Sequence, residues 1–392
     1  MKIEKINIGG WFQRTTLHLS EIYDFLRTAD SQLKLDKKKL RQLHTALDIK
    51  DVEYEIDGLE YLRFTTNTDI NVKIVEDGLI VLSDEKVTEF SLFNDINDLA
   101  SYYEKKLSPA ISYLFSLGAP VPKELANIET VFPYFIVLNN ETKENIKLLL
   151  SKTEKDKYFE YENDVYDVVR GDKYYFINAK KDVSKVERYI EEQIFIREFK
   201  GQSHRYLNLH RIIWEKIDNV KEQVRVRGKD IIAFNTKIEG YAKTVNLIDA
   251  RINQMRTYLS TREKIAKADA NLTESLDLIG YRYETLGNTL SYMQQIWSMT
   301  KNYVNQASKL FSELQSEVTS KSIDNLTIVT SMGVGASLIG LFTDSAPTFT
   351  TFGVIYFFVL ALLGLLVNRL MSFVSKRRKY DVSDIEYDKN IK

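Results

Sequence analysis

From Leu272 to Val318 the chain carries an apolar or large residue at steps of four and three without interruption: Leu272, Leu276, Ile279, Tyr283, Leu286, Leu290, Met293, Trp297, then Val304, Ala307, Phe311, Leu314 and Val318, with Thr300 as the one polar member. That 3.5-residue period is the mark of a helix packed on other helices along its whole length. The pattern predicts a single helix from Asn271 to Phe342, on the order of 100 Å long at ~1.5 Å per residue. Asn271 with Glu274 reads as a capping box, and Asp269 places negative charge where the helix dipole favours it.

The far end of this helix enters Leu326–Phe342, a run without charge. A second uncharged run, Ser345–Asn368, follows after a short loop around Asp344 and Pro347. Each has roughly the 18 to 20 residues a bilayer core requires. Val354–Leu366 is apolar on every side, which argues against a buried helical hairpin of a soluble protein. Lys376, Arg377, Arg378 and Lys379 follow the second run and Lys321 precedes the first, while the connecting loop has no Lys or Arg. Positive-inside bias then puts both termini in the cytoplasm of a multi-pass inner-membrane protein. Met1-Lys2-Ile3-Glu4 opens no apolar signal, so insertion is expected to depend on the C-terminal hairpin.

Upstream, the reading is an α+β domain over residues 1–182. Asp57-Gly58, Asp77-Gly78 and Gly171-Asp172 each separate two strand-like runs: Val52–Ile56 from Leu59–Phe64, Val72–Val75 from Leu79–Leu82, and Val165–Val169 from Tyr174–Ile177. Ile3–Ile8 is a strand ending at Gly9-Gly10, and Thr130–Leu138 a buried one. Helices are expected from Ser20, from Asp36, over Ile96–Leu117 with a bend or break at Pro109, and over Thr142–Leu150. No proline occurs between Pro133 and Pro347, as long helices require. Val183–Arg227, with a break at Gly201, and Lys229–Lys267 form an antiparallel pair. Their turn at Gly228 should lie near the membrane, flanked by Arg225, Arg227 and Lys229. The segments are thus 1–182, 183–270, a stalk 271–325, a first span 326–343, a second span 345–371 and a tail 372–392.

This layout resembles the CorA-type divalent-cation channels. The resemblance implies a homopentamer in which stalk and first span line a pore. The family's Gly-Met-Asn triplet at the end of the first span is replaced here by Gly340-Leu341-Phe342, followed by Thr343 and Asp344. A CorA-like branch without that triplet serves as the membrane effector of type III CRISPR systems, answering a messenger that joins S-adenosylmethionine to ATP. The resemblance therefore implies an antiviral, ligand-gated channel. Mg2+ transport, or a non-conducting oligomeric scaffold, are the alternatives.

On the first span, Leu326, Thr330, Gly333, Ser337 and Gly340 form a stripe of small or hydroxylic residues, with Leu326 the bulky member suited to closing a path by dewetting. Gly333 and Ser337 equally satisfy the small-xxx-small rule for close helix packing. Phe342 and Asp344 would stand at the outer mouth. The uncharged runs Leu326–Phe342 and Ser345–Asn368 hold no acidic, basic or histidine side chain, so proton-relay chemistry is not expected.

Enzymatic chemistry is not expected either. Cys is absent, the four His are not spaced as metal ligands on one helical face, and no phosphate-binding glycine loop is present. A net charge of -1 gives no reason to expect direct nucleic-acid binding. For a nucleotide-like effector, a stacking face and a cation are needed. Trp11 with Arg14, Arg170 with Lys173, and Arg205 supply those residue types.

Overall fold

The computed structural model describes residues 1–13, 18–57, 59–115, 133–153, 156–180, 182–221, 225–341 and 379–381, with single residues between 355 and 377. The chain divides into two compact units, one of residues 1–207 and 250–294, the other of 208–249 and 295–392. Phe342, Asp344 and nearly all of the second uncharged run lie outside the described residues. Among the described residues no helix is long and apolar enough to cross a membrane.

The first unit is built on a nine-stranded sheet. Its strands are β1 (Ile3–Trp11), β2 (Ile49–Asp57), β3 (Leu59–Thr66), β4 (Asn71–Val75), β5 (Leu79–Asp84), β6 (Tyr134–Asn139), β7 (Phe159–Glu162), β8 (Tyr166–Arg170) and β9 (Tyr174–Ala179). Their order is β2-β3-β4-β5-β1-β6-β9-β8-β7. Only β6 and β9 pair in parallel; every other neighbour is antiparallel. All three expected hairpins are therefore present, and β7 adds an edge strand that the sequence reading left out.

The Asp77-Gly78 turn departs from the two-residue form. Gly78 N donates to Val75 O at 2.9 Å and Gly78 alone takes a positive φ, 94°. This is the three-residue hairpin loop that closes with a left-handed glycine, so Asp77 needs no unusual backbone. β1 also differs from expectation, because it continues through Gly9 and Gly10 to Trp11. A Cβ at Gly9 would stand 2.3 Å from Ile80 O on the neighbouring strand, so glycine here admits a close strand approach rather than ending the strand.

One sheet face packs on α1 (Leu19–Thr28), α2 (Lys37–Leu47), α3 (Leu92–Tyr102), α4 (Ser108–Phe115) and α5 (Lys143–Thr153). Its core includes Ile6, Ile8, Leu62, Phe64, Ile74 and Leu82 from the strands, with Phe25, Leu40, Leu99 and Ile111 from the helices. Pro109 does not break the chain's path. A π turn, Tyr103–Leu107, in which Ser108 N donates to Tyr103 O, joins α3 to α4, and Pro109 falls in the first turn of α4, where its missing N–H is tolerated. α1 begins two residues earlier than a Ser20 cap would place it: His18 is the cap, with the Glu21 carboxylate accepting from His18 N at 2.9 Å. Asp36 caps α2 as expected, accepting from Lys38 N at 2.9 Å.

Three long helices follow: α6 (Ser184–Lys221), α7 (Gly228–Ala268) and α8 (Leu276–Leu341). α6 passes Gly201 without a break. It ends before Arg225, and Arg225–Arg227 instead form a short strand, β10, antiparallel to β11 (Lys379–Asp381) in the second unit. The start of α8 is also corrected. Asp269, not Asn271, is the cap: its carboxylate accepts from Asn271 N at 2.8 Å, and a 3-10 turn over Ala270–Ser275 precedes the helix. The apolar seam on α8 is buried at Ile279, Tyr283, Leu286, Leu290, Met293, Trp297, Val304, Ala307 and Phe311. Burial of each large member is worth about 1.5–3 kcal/mol. Thr300 is fully buried in that seam because its hydroxyl is used twice: it donates to Ile296 O at 2.9 Å and meets His210 Nε2 at 2.7 Å.

Candidate functional site

Successive side chains of a strand point to opposite faces. The second face of the sheet accordingly gathers Lys5, Asn7, Gly9 and Trp11 from β1, Tyr61 and Arg63 from β3, Asn71 and Lys73 from β4, and Val81 and Ser83 from β5. Towards Trp11 this face is aromatic. The indole is 2% exposed and packs against Phe195, Phe199 and Tyr258 with ring centroids 5.4, 5.5 and 6.1 Å away. Its Nε1 donates to Asp77 O at 2.9 Å.

Asp77 is the hub of a buried ion network. Its Oδ1 accepts from Leu79 N at 3.1 Å, which fixes the hairpin turn. The same carboxylate takes two bonds from the Arg262 guanidinium, at 2.5 Å from Nε and 3.1 Å from Nη2. Arg262 Nη1 donates to Glu192 Oε1 at 3.1 Å, and the Tyr283 hydroxyl donates to the other Glu192 oxygen. One hairpin is thus tied to α6, α7 and α8 by four side chains, all at least nine-tenths buried. Burial works against the charge on Arg262, but Asp77 and Glu192 outweigh it and hold the guanidinium firmly protonated. Burial pushes the Glu192 carboxyl up despite Arg262, and it raises the Tyr283 hydroxyl far above its ordinary range, with the Glu192 charge adding to the effect.

Beside this network the sheet and the first turns of α6 enclose a cleft of about 170 Å³. Lys5 and Asn7 come from β1, Arg63 from β3, Lys73 from β4, and Glu187 and Glu191 from α6. Lys5 Nζ meets Glu187 at 2.5 Å and Lys73 Nζ meets Glu191 at 2.6 Å. Glu191 also accepts from Arg188 Nη1 at 3.1 Å. Burial raises the Glu191 carboxyl, yet Lys73, Arg188 and Arg262 together more than offset this and keep it below its usual value. Among the described residues no group of His, Asp or Glu is placed to hold a metal ion.

The residues singled out from sequence fall elsewhere. Trp11 is a core residue whose faces are taken by three aromatic rings, so it offers no stacking surface to a ligand. Arg14 lies outside the described residues. Arg170, on β8, places its guanidinium over the Tyr175 ring at 5.2 Å, and Lys173 is exposed in the turn that follows. Arg205 is half-buried on α6, where its charge acts on the hydroxyls of Tyr103 and Tyr206. These side chains sit on three different elements with different neighbours. Of the first-span stripe, Leu326, Gly333, Ser337 and Gly340 lie within α8, and Thr330 is exposed with its hydroxyl donating to Thr327 O at 3.2 Å.

Sequence reasoning missed Asp77, Glu192 and Arg262, although a signal exists. Arg262 falls three residues after Leu259 and four before Ala266, on the apolar seam of α7, where a charge requires buried partners.

No family model matches the chain, and no curated protein matches it. Among solved structures, the CorA magnesium transporter from Methanocaldococcus jannaschii aligns at 9% identity over 63% of this chain and 91% of its own, with a TM-score of 0.31. The full-length CmaX protein aligns at 12% identity over 64% of this chain and 93% of its own, with a TM-score of 0.28. Values this low do not establish a shared fold.

Proposed function

We propose that the chain is one subunit of a homo-oligomeric inner-membrane channel of the CorA type, opened by a cytosolic ligand. The observation that carries this reading is a second seam on α8. Tyr281, Thr285, Asn288, Tyr292, Gln295, Met299, Asn302 and Gln306 again alternate four and three, and every one is exposed in the single chain. None carries a charge. An exposed helix face normally carries Lys, Glu, Arg and Asp, so an uncharged heptad seam suits packing of like helices around an axis. The same phase continues through Lys309, Glu313, Ser316 and Ser320 to Thr327 and Thr330, both exposed, at the entry to the uncharged run.

The β10–β11 pairing supports the membrane placement. It joins the basic turn at Arg225 and Arg227 to Lys379–Asp381, residues that follow the second uncharged run. Backbone pairing thus draws that turn to the segment where a cytoplasmic basic anchor is expected.

The finer reading is an antiviral effector of a type III CRISPR system, a pentamer opened by a nucleotide messenger of the S-adenosylmethionine–AMP kind. The ligand would favour one arrangement of the helices over another, which requires different affinities for the two states. The test is ion flux from liposomes carrying the purified protein, with and without messenger. Messenger-dependent flux is expected. Mg2+ uptake that needs no messenger would favour the transporter, and no flux at all the scaffold.

A further inference from the structure

The cleft beside the Arg262 network has three properties that together define a ligand. First, it is charge-balanced: Lys5, Arg63 and Lys73 face Glu85, Glu187 and Glu191. The buried Lys5 already holds Glu187, and the half-buried Lys73 holds Glu191. This leaves Arg63 and Glu85, both exposed, as ions of opposite sign, and among the described residues neither forms an ion pair. Second, Asn7 is 4% exposed and its Nδ2 has no hydrogen-bond partner. A buried amide donor without a partner is destabilising, and an acceptor supplied by a ligand relieves that cost. Third, Val81 and Ile190 give the cleft an apolar wall. Its volume of about 170 Å³ exceeds the ~30 Å³ of a water molecule and falls short of the ~300 Å³ at which drug-sized pockets begin.

A polyanion is poorly served here, because three carboxylates line the same space. A cation alone leaves the Asn7 amide unanswered. We infer that the cleft binds an α-amino-acid head group with an apolar stem, its carboxylate towards Asn7 and Arg63 and its ammonium towards Glu85 and Glu187. Such a group arrives either as a free amino acid or as the amino-acid end of a nucleoside conjugate. The inference deepens the ligand-gated reading by giving the ligand a place, and it rests on that reading only for its consequence. Glu191, on the cleft wall, is adjacent in α6 to Glu192 of the ion network, so occupancy bears directly on the turn of helix that Arg262 grips.

The test is calorimetric titration of the full-length protein in detergent with five probes: L-leucine, S-adenosylmethionine, isocaproate, isoamylamine and inorganic phosphate. Leucine, S-adenosylmethionine or both are expected to bind, the first pointing to a free amino acid and the second alone to a conjugate. Isocaproate and isoamylamine each lack one charge and should bind at least about tenfold more weakly, the factor one lost charged hydrogen bond is worth. Arg63→Gln and Glu85→Gln, both at exposed positions, should each weaken the zwitterion by a similar factor without lowering the melting temperature. Phosphate or isocaproate binding as tightly as the zwitterions overturns the inference, as does absence of binding by both zwitterions. Binding without any effect on liposome flux supports the cleft and removes the gating reading. Flux triggered by messenger and indifferent to both substitutions supports gating and removes the cleft.

Discussion

Arg262 meets Asp77 side-on, Nε to Oδ2 at 2.5 Å and Nη2 to Oδ1 at 3.1 Å, across 185 residues of sequence. Two parallel bonds between planar groups are a geometry lysine cannot copy. Arg262→Met leaves two carboxylates buried without their cation and should cost about 3–5 kcal/mol. Arg262→Lys should recover only part of that loss. Denaturant unfolding of the full chain measures both.

Glycine positions separate packing from propensity. Gly9→Ala drives a methyl to 2.3 Å from Ile80 O, backbone that cannot swing aside, and should destabilise by about 1–3 kcal/mol or more. Gly280→Ala, on α8, meets nothing within 4 Å and should stabilise by up to about 1 kcal/mol. Thermal unfolding of the two variants in parallel should give shifts of opposite sign.

The strands, turns and long seams were legible because they depend on local chemistry. Asp77-Gly78 announces a hairpin, and the four-three steps from Leu272 announce a buried helix face. What the sequence did not disclose is long-range. Gly9-Gly10 reads as a terminator until β5 is seen to press against it. Asp77 reads as a turn residue until Arg262 is found on it. Trp11 reads as a ligand platform until Phe195, Phe199 and Tyr258 are found around it. In each case the deciding partner is far along the chain, and no local period encodes it.

His210 gives a pH dependence whose sign is fixed. Burial holds its imidazole below the ordinary range, against a hydrogen bond from the ring to the Ile296 backbone carbonyl that favours protonation. As pH falls through about 6.5 the unfolded chain takes up the proton first. The stability contributed by neutral His210 is therefore present above that pH, declines as pH drops toward the lowered folded value, and levels off below it. His210→Gln, which keeps a polar contact to Thr300, should show a smaller fall in melting temperature between pH 7.5 and 5.5, both being about one pH unit from that reference value.

The outward seam of α8 predicts a separation of assembly from folding. Tyr292 is 57% exposed and Met299 58% exposed, so the double change Tyr292→Glu, Met299→Glu should alter the stability of the single chain by no more than about 0.5 kcal/mol. In an oligomer it stacks like charges along one axis. Mass photometry in detergent should show the wild type as one discrete oligomer and the variant as smaller species, with circular dichroism unchanged.

The central claim is that several copies of α8 surround a water-filled path reached by Thr330. The chain has no cysteine, so Thr330→Cys introduces a single thiol without removing any other. In liposomes opened by messenger, a charged, water-soluble thiol reagent should label that position and abolish most of the flux, while the unsubstituted protein keeps its flux. A thiol at 330 that stays unlabelled during conduction, or that is labelled with no change in flux, would contradict the account.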